Sequence, residues 1–115
     1  MKYTHLNQQP TTKVSHNSAI DKQTMISSGQ IDNLVYFSKA CFPPGEIAAG
    51  HTHHDMTEVF FIDSGNGEFA INKQIIELTA GSCITIEPGD WHELRNTGDK
   101  PLKVTYFGLL TPVNC

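Results

Sequence analysis

From Leu34 onward, apolar and polar positions alternate in short runs, each closed by residues that cannot extend a strand. Leu34–Phe42 is the first run, stopped by Pro43, Pro44 and Gly45, which break a hydrogen-bonded ladder. Ile47–His53 and Glu58–Ile62 follow, the latter rich in β-branched and aromatic side chains. Asp63–Gly67 reads as a turn, because glycine accepts the positive φ of a tight hairpin. Glu68–Ile71 and Gln74–Leu78 flank Asn72 and Lys73, a two-residue hairpin loop. Thr79–Gly81 turns the chain into Ser82–Glu87, and Pro88–Asp90 turns it into His92–Arg95. After Asn96–Asp99, Lys103–Leu110 is the last strand. Residues 1–30 are polar, with Gln, Asn, Ser, Thr and Pro in little periodicity. They read as a loose arm, with a short strand near Lys13–Ser15 or Thr24–Ile26. No window carries the i, i+3, i+4, i+7 apolar spacing of an amphipathic helix. Many short strands between close turn signals predict an all-β sandwich or barrel.

Composition narrows this only in part. A chain of 115 residues supports one domain with one modest core. Hydrophobic residues at 38% and charged ones at 17% describe an ordinary soluble globule. A net charge of −4 without a basic stripe argues against nucleic acid, whose phosphates need clustered Lys and Arg. Cys41, Cys83 and Cys115 are odd in number and far apart, so a disulfide framework is not expected and a reducing cytoplasm is. Cys41 and Cys83 lie in apolar runs, where a buried thiol behaves as a small hydrophobe. No signal-peptide pattern and no apolar segment long enough to span a bilayer is present, so no membrane partner is expected.

The stretch Gly45–Glu58 changes the picture, for it concentrates chemistry: His51, His53, His54 and Glu58. On a strand His51 and His53 face the same way, with backbones about 6.6 Å apart, a span two imidazoles can close onto one ion. His54 has the opposite parity. Glu58 follows a short polar break that can turn its carboxylate back to that face. Two neutral nitrogens and one anionic oxygen suit a divalent transition metal; a solvated, histidine-rich loop is the plainer alternative. Further on, His92 follows a Pro-Gly turn and adds a fourth donor to His51, His53 and Glu58.

These residues resemble the cupin superfamily. Its first motif, G-x5-HxH-x(3,4)-E-x6-G, matches Gly45, His51, His53, Glu58 and Gly65 at every spacing. Its second, G-x5-PxG-xx-H-xxx-N, matches Gly81, Gly89, His92 and Asn96. The motif proline position holds Glu87, with Pro88 one residue later, which leaves the turn in place. The resemblance covers Leu34–Leu110 and is to the small, single-domain bacterial members with an RmlC-like conserved barrel. It implies an all-β jelly-roll barrel over residues 31–115, preceded by the arm at 1–30. It also implies a metal held inside by His51, His53, Glu58 and His92, the ion being Fe, Mn, Ni, Zn or Cu.

Three imidazoles and a carboxylate would leave room on the ion for a guest, the property that separates a working site from a structural one. The leading expectation is a metal-dependent enzyme acting on a small organic molecule, by oxygenase (dioxygenase), isomerase, cyclase or lyase chemistry. The alternative is a non-catalytic, metal-dependent binder of a sugar or carboxylate; the fold does not arbitrate. No catalytic residue is assigned. Phe60 and Ile62 share the parity of Glu58 and are expected to point inward, with Val59 and Phe61 opposite. Trp91 either walls the pocket mouth or packs the rim. Tyr36, Tyr106 and Phe107 read as core aromatics, and Glu93 and Arg95, in phase across the His92 strand, either support the ligands from behind or face solvent, the latter being the leading expectation. A homodimer is expected, by family analogy and because outward apolar residues need a cover.

Overall fold

The computed structural model describes residues 1–111, which build ten strands and one short 3-10 turn, Leu6–Gln8. The strands are β1 (Thr12–Val14), β2 (Asn17–Ile26), β3 (Leu34–Phe42), β4 (Ile47–Thr52) and β5 (Met56–Ser64). Then come β6 (Gly67–Ile71), β7 (Gln74–Leu78), β8 (Cys83–Ile86), β9 (Trp91–Arg95) and β10 (Leu102–Leu110). They form a six-stranded sheet in the order β1-β2-β3-β10-β5-β8 and a four-stranded sheet in the order β4-β9-β6-β7. All pairings are antiparallel, and the two sheets enclose one core on the jelly-roll plan.

Alternation of side chains explains this closure. Along β3, Ser38, Ala40 and Phe42 are buried while Lys39 and Cys41 are less so. Along β5, Met56, Glu58, Phe60 and Ile62 are buried, and Phe61 on the other face is 43% exposed. The core also takes Ile20, Phe69, Leu78, Ile86, Leu94, Leu102 and Val104. Each such side chain removed from water stabilises the fold by about 1.5–3 kcal/mol before entropy is counted. Asn72, at φ 53, and Lys73 make the tight β6–β7 hairpin anticipated from their composition. Gly65 is required twice over: its φ is +92, and a Cβ there would meet the Pro101 carbonyl oxygen at 2.5 Å.

The arm carries more structure than its polar composition suggested. Both stretches named as strand candidates fall in strands, and β2, ten residues long, pairs with β3 from Asp21 to Ile26 at the register Lys22↔Ala40 and Thr24↔Ser38. Its inward positions explain this: Ile20 is fully buried, and the Thr24 and Ser38 hydroxyls hydrogen-bond at 3.1 Å. At the turn before β2, the Asn17 amide donates to the Glu46 carboxylate at 3.0 Å and to the Ile47 carbonyl at 2.9 Å. That ties the arm to β4 of the opposite sheet.

One cysteine expectation fails. Cys83 is exposed, because it lies on β8 in the phase opposite to buried Ile86; Cys41 is half-buried, and Cys115 lies outside the described residues.

Candidate metal centre

His51, His53, Glu58 and His92 converge: one donor atom from each lies within 4.8 Å of all the others. They come from β4, the segment just after it, β5 and β9, so both sheets contribute. His92 and Glu58 are 2% and 3% exposed, His53 is half-buried and His51 is exposed, which leaves the cluster open on one side. The ring centroids of His51 lie 4.4 Å from those of His92 and 4.6 Å from those of His53. His54 is exposed and stands outside the cluster, as its parity implied.

His51 reaches the interior by a route that parity alone does not give. β4 pairs Ala48 with Leu94 and then His51 with His92, three residues against two. The extra residue, at Ala49–Gly50, is a β-bulge that switches His51 onto the face of buried Leu94 and His92. The bulge is braced from β9: the Gly50 N–H donates to the Glu93 carboxylate at 3.0 Å. Glu93 in turn accepts from Arg95, which also donates to Glu68 at 3.0 Å. Glu93 and Arg95 are thus engaged on the sheet rather than merely facing solvent. Trp91 is 37% exposed and covers Gly50, where a Cβ would lie 2.0 Å from its ring. It packs the rim and is not among the residues lining the cavity.

Hydrogen bonds set which nitrogen each ring presents. His51 Nδ1 faces the Ala49 carbonyl at 2.9 Å, and His92 Nδ1 faces the Asp90 carbonyl at 3.0 Å. A carbonyl only accepts, so Nδ1 carries a hydrogen in both and Nε2 faces the cluster, as the N–H donor to Glu58 in protonated, metal-free His92 and as a lone pair when a ring is neutral. His92 Nε2 lies 3.1 Å and His53 Nε2 3.4 Å from Glu58 Oε1. The other carboxylate oxygen, Oε2, accepts the Tyr36 hydroxyl.

The charges follow. Burial alone would raise the Glu58 carboxyl, but the hydrogen bonds from His92 and Tyr36 and the neighbouring imidazoles bring it below the usual range. Burial works against protonated His92 as well, yet its bonds to Glu58 and the Asp90 carbonyl raise it. His53 is lowered, by burial first and by its fellow histidines, against the pull of Glu58. Tyr36 is pushed far up by burial and by Glu58, so its hydroxyl stays protonated and donates. Tyr106 rises to about 12, through burial and the Glu58 charge, partly opposed by Ser38.

Tyr36 is the contributor that sequence reasoning placed in the core. The signal was its even position on β3, in phase with Ser38, Ala40 and Phe42, which aims a polar aromatic at the interior. An aromatic chain extends from it: Tyr36 packs edge-on against Tyr106 at 5.4 Å, and Tyr106 stacks on Phe60 at 5.2 Å. Phe60 meets Phe69 at 5.0 Å, and Phe69 approaches His92 at 6.4 Å.

These aromatics, with Ala40, Phe42, Ala48, Leu94 and Val104, line a cavity of about 570 Å³ onto which all four cluster residues open. The donor set fits a divalent transition ion: one anionic oxygen, two imidazoles with oriented lone pairs and a third depressed toward neutrality.

Comparison with known proteins agrees with this geometry. The family model described as Cupin domain matches residues 38–108. The oxalate-binding protein of Thermotoga maritima is 30% identical over 67 residues, covering 58% of this chain and 55% of that protein. The chain thus spans about half the length of the curated relatives it matches. Among solved structures, a predicted oxalate decarboxylase from Thermotoga maritima superposes with a TM-score of 0.87 at 20% identity, covering 95% of this chain and 99% of that one. A sugar phosphate isomerase from Silicibacter pomeroyi gives 0.82 at 14% identity, covering 96% and 77%. At these identities the structural likenesses establish the fold alone.

Proposed function

The chain belongs to the cupin family, and from that premise we propose that it is a metal-dependent enzyme acting on a small organic acid inside its barrel. His51, His53, Glu58 and His92 hold a divalent ion of the Fe, Mn, Ni, Zn or Cu type. The observation that carries this reading is the four-residue cluster, its donors within 4.8 Å of one another, facing a cavity of about 570 Å³. The acid as guest is supported by the oxalate-binding relative and by the predicted oxalate decarboxylase that shares the fold. A bound divalent ion would polarise a carboxylate or enolate oxygen or acidify a bound water, which serves lyase, isomerase and oxygenase chemistry alike.

The chain's own residues do the rest. Glu58 stays anionic at neutral pH and is oriented by the Tyr36 hydroxyl. The carbonyls of Ala49 and Asp90 keep the Nε2 lone pairs of His51 and His92 turned inward. Phe60, Phe69, Leu94 and Val104 exclude water from the guest's apolar part. One observation favours binding without turnover as a second reading. Apart from the cluster itself, the titratable groups lining the cavity among the described residues are Tyr36, Tyr106, His16 and Lys22; no second carboxylate stands by as a base.

Untagged protein purified without chelators, analysed for metals and then mixed with a panel of small acids, tests both readings. Bound ion with product formation supports the enzyme. Bound ion with acid binding but no product supports the binder. Failure to take up any of the five ions refutes the metal site. We further propose a cytoplasmic homodimer, supported by exposed Phe61, Leu109 and Leu110, at 43%, 39% and 49%. Light scattering at one chain's mass would refute it. Among the described residues no helix is long and apolar enough to cross a membrane.

A further inference from the structure

The arm contributes to the cavity as well as to the sheet. Val14, Ser15, His16, Lys22 and Thr24 all line it. Lys22 is the residue of interest. It lies on β2 two residues before Thr24, which is bonded to buried Ser38, and no register shift against β3 falls between them. Alternation therefore directs Lys22 to the inner face, opposite buried Ala40. It is the one Lys or Arg among the described residues that line the cavity. Lys13 pairs with Asp21 and Lys39 with Asp63, but Lys22 has no hydrogen-bond or ion-pair partner among the described residues.

We propose that Lys22 is a second recognition point, and that the guest is a dianion: one carboxylate at the metal cluster, a second acidic group at the Lys22 ammonium, joined by an apolar linker. The inference rests on the proposed function and adds the substrate class to it. The register supplies the scale. Glu58 aligns with Gly108 and Tyr36, and Lys22 aligns with Ala40 and Val104. The two residues are thus three strands apart across the sheet and four positions apart along it. On a flat sheet that is roughly 19 Å between Cα atoms, from about 4.8 Å per strand and 3.3 Å per residue. Curling of the sheet shortens the distance. The lysine stem on one side and the carboxylate with its ion on the other shorten it further.

The gap between the two groups is bordered by Phe60, Val104 and Tyr106. Such a gap suits a short aliphatic or aromatic diacid rather than two adjoining carboxylates. Charge agrees: a divalent ion exceeds the single Glu58 carboxylate by one positive charge, and Lys22 adds another.

The test is calorimetric titration of the full chain, loaded with Mn(II), with oxalate, succinate, glutarate, adipate and phthalate, and with butyrate and benzoate as single-acid controls. Wild type, Lys22→Met and Lys22→Arg are compared, with metal content measured in each. The expected result is that one of the longer diacids binds wild type about tenfold or more tighter than the single acids and oxalate. Lys22→Met should lose that preference while keeping its metal and its affinity for single acids, and Lys22→Arg should retain most of it. A lysine that only carried its ammonium out to solvent would leave the preference unmoved on truncation. Equal affinity for diacids and single acids in wild type, or a preference that survives in Lys22→Met, would overturn the inference while the organic-acid reading stands. Binding of no acid by the metal-loaded protein would overturn both.

Discussion

Tyr36→Phe isolates one hydroxyl with little change of shape. That hydroxyl donates to Glu58 Oε2, on a carboxylate only 3% exposed. A hydrogen bond to a charged group contributes about 1.5–3 kcal/mol, and loss of a donor leaves the buried acceptor bearing its desolvation cost. Glu58 keeps His92 at 3.1 Å and His53 at 3.4 Å on Oε1, so one oxygen remains satisfied. The adjoining cavity admits water, which can replace part of what is removed, and this favours the lower end, about 1.5–2 kcal/mol. In metal-free protein at pH 7 the urea midpoint should fall with an unchanged m-value. For a domain of this size the melting temperature should drop roughly 3–5 °C per kcal/mol. Metal affinity should fall about 10–100-fold, as when an outer partner of a ligand is deleted. A stability change below about 0.5 kcal/mol together with unaltered metal affinity would refute the assignment of this hydroxyl to Glu58.

The pH dependence of the metal-free protein follows from two opposed shifts. His92 is raised, so its contribution is complete below 6.5 and lost as pH climbs through its folded value. Glu58 is lowered, so its contribution is complete above 4.5 and lost as pH falls through its folded value. His53 is lowered and so opposes His92 in the same window. In a His53→Ala background urea midpoints should peak between those limits, and a monotonic rise through neutrality there would contradict the His92–Glu58 pair. Because the imidazoles must be neutral to ligate, metal content should fall on acidification toward pH 5; full retention after desalting would count against the ligand set. Phe69→Ala removes a fully buried ring touching Phe60 and near His92, and should destabilise by about 3 kcal/mol in chemical denaturation. Glu93→Ala should destabilise by about 1 kcal/mol and weaken metal binding about tenfold, because the Gly50 N–H loses its acceptor and the bulge that aims His51 slackens. Chelation of a metal held at about 100 times its Kd should lower apparent stability by about 2.7 kcal/mol, seen as a lower melting temperature.

The architecture was legible wherever apolar residues alternated between strong turn signals. Each strand expected after Leu34 forms, with ends moved by a residue or so, since alternation decides which face is buried and Gly or Pro decides where pairing stops. The arm was less legible because its stabilising positions are few. Ile20 alone is a large apolar residue fully buried there, and the remaining support comes from Thr24–Ser38 and Asn17–Glu46 hydrogen bonds that join distant segments. The four converging residues could be named from types and spacings. Their supports could not: the Tyr36 hydroxyl and the Glu93 carboxylate matter through partners 22 and 43 positions away. Nor does alternation foresee the bulge. His51 and His53 were paired on the idea of one regular strand, whereas β4 gains a residue at Ala49–Gly50 and ends at Thr52.

That extra residue gives β4 an asymmetric tolerance of changes in chain length. Deleting Ala49 would restore plain alternation against β9 and keep His51 opposite His92 on the inner face, with every donor still in the sequence. One more residue would instead have to be absorbed by a wider bulge or by a slip of register. A one-residue deletion before His51 should therefore spare the four-residue cluster, and a one-residue insertion should weaken it in a barrel that still folds.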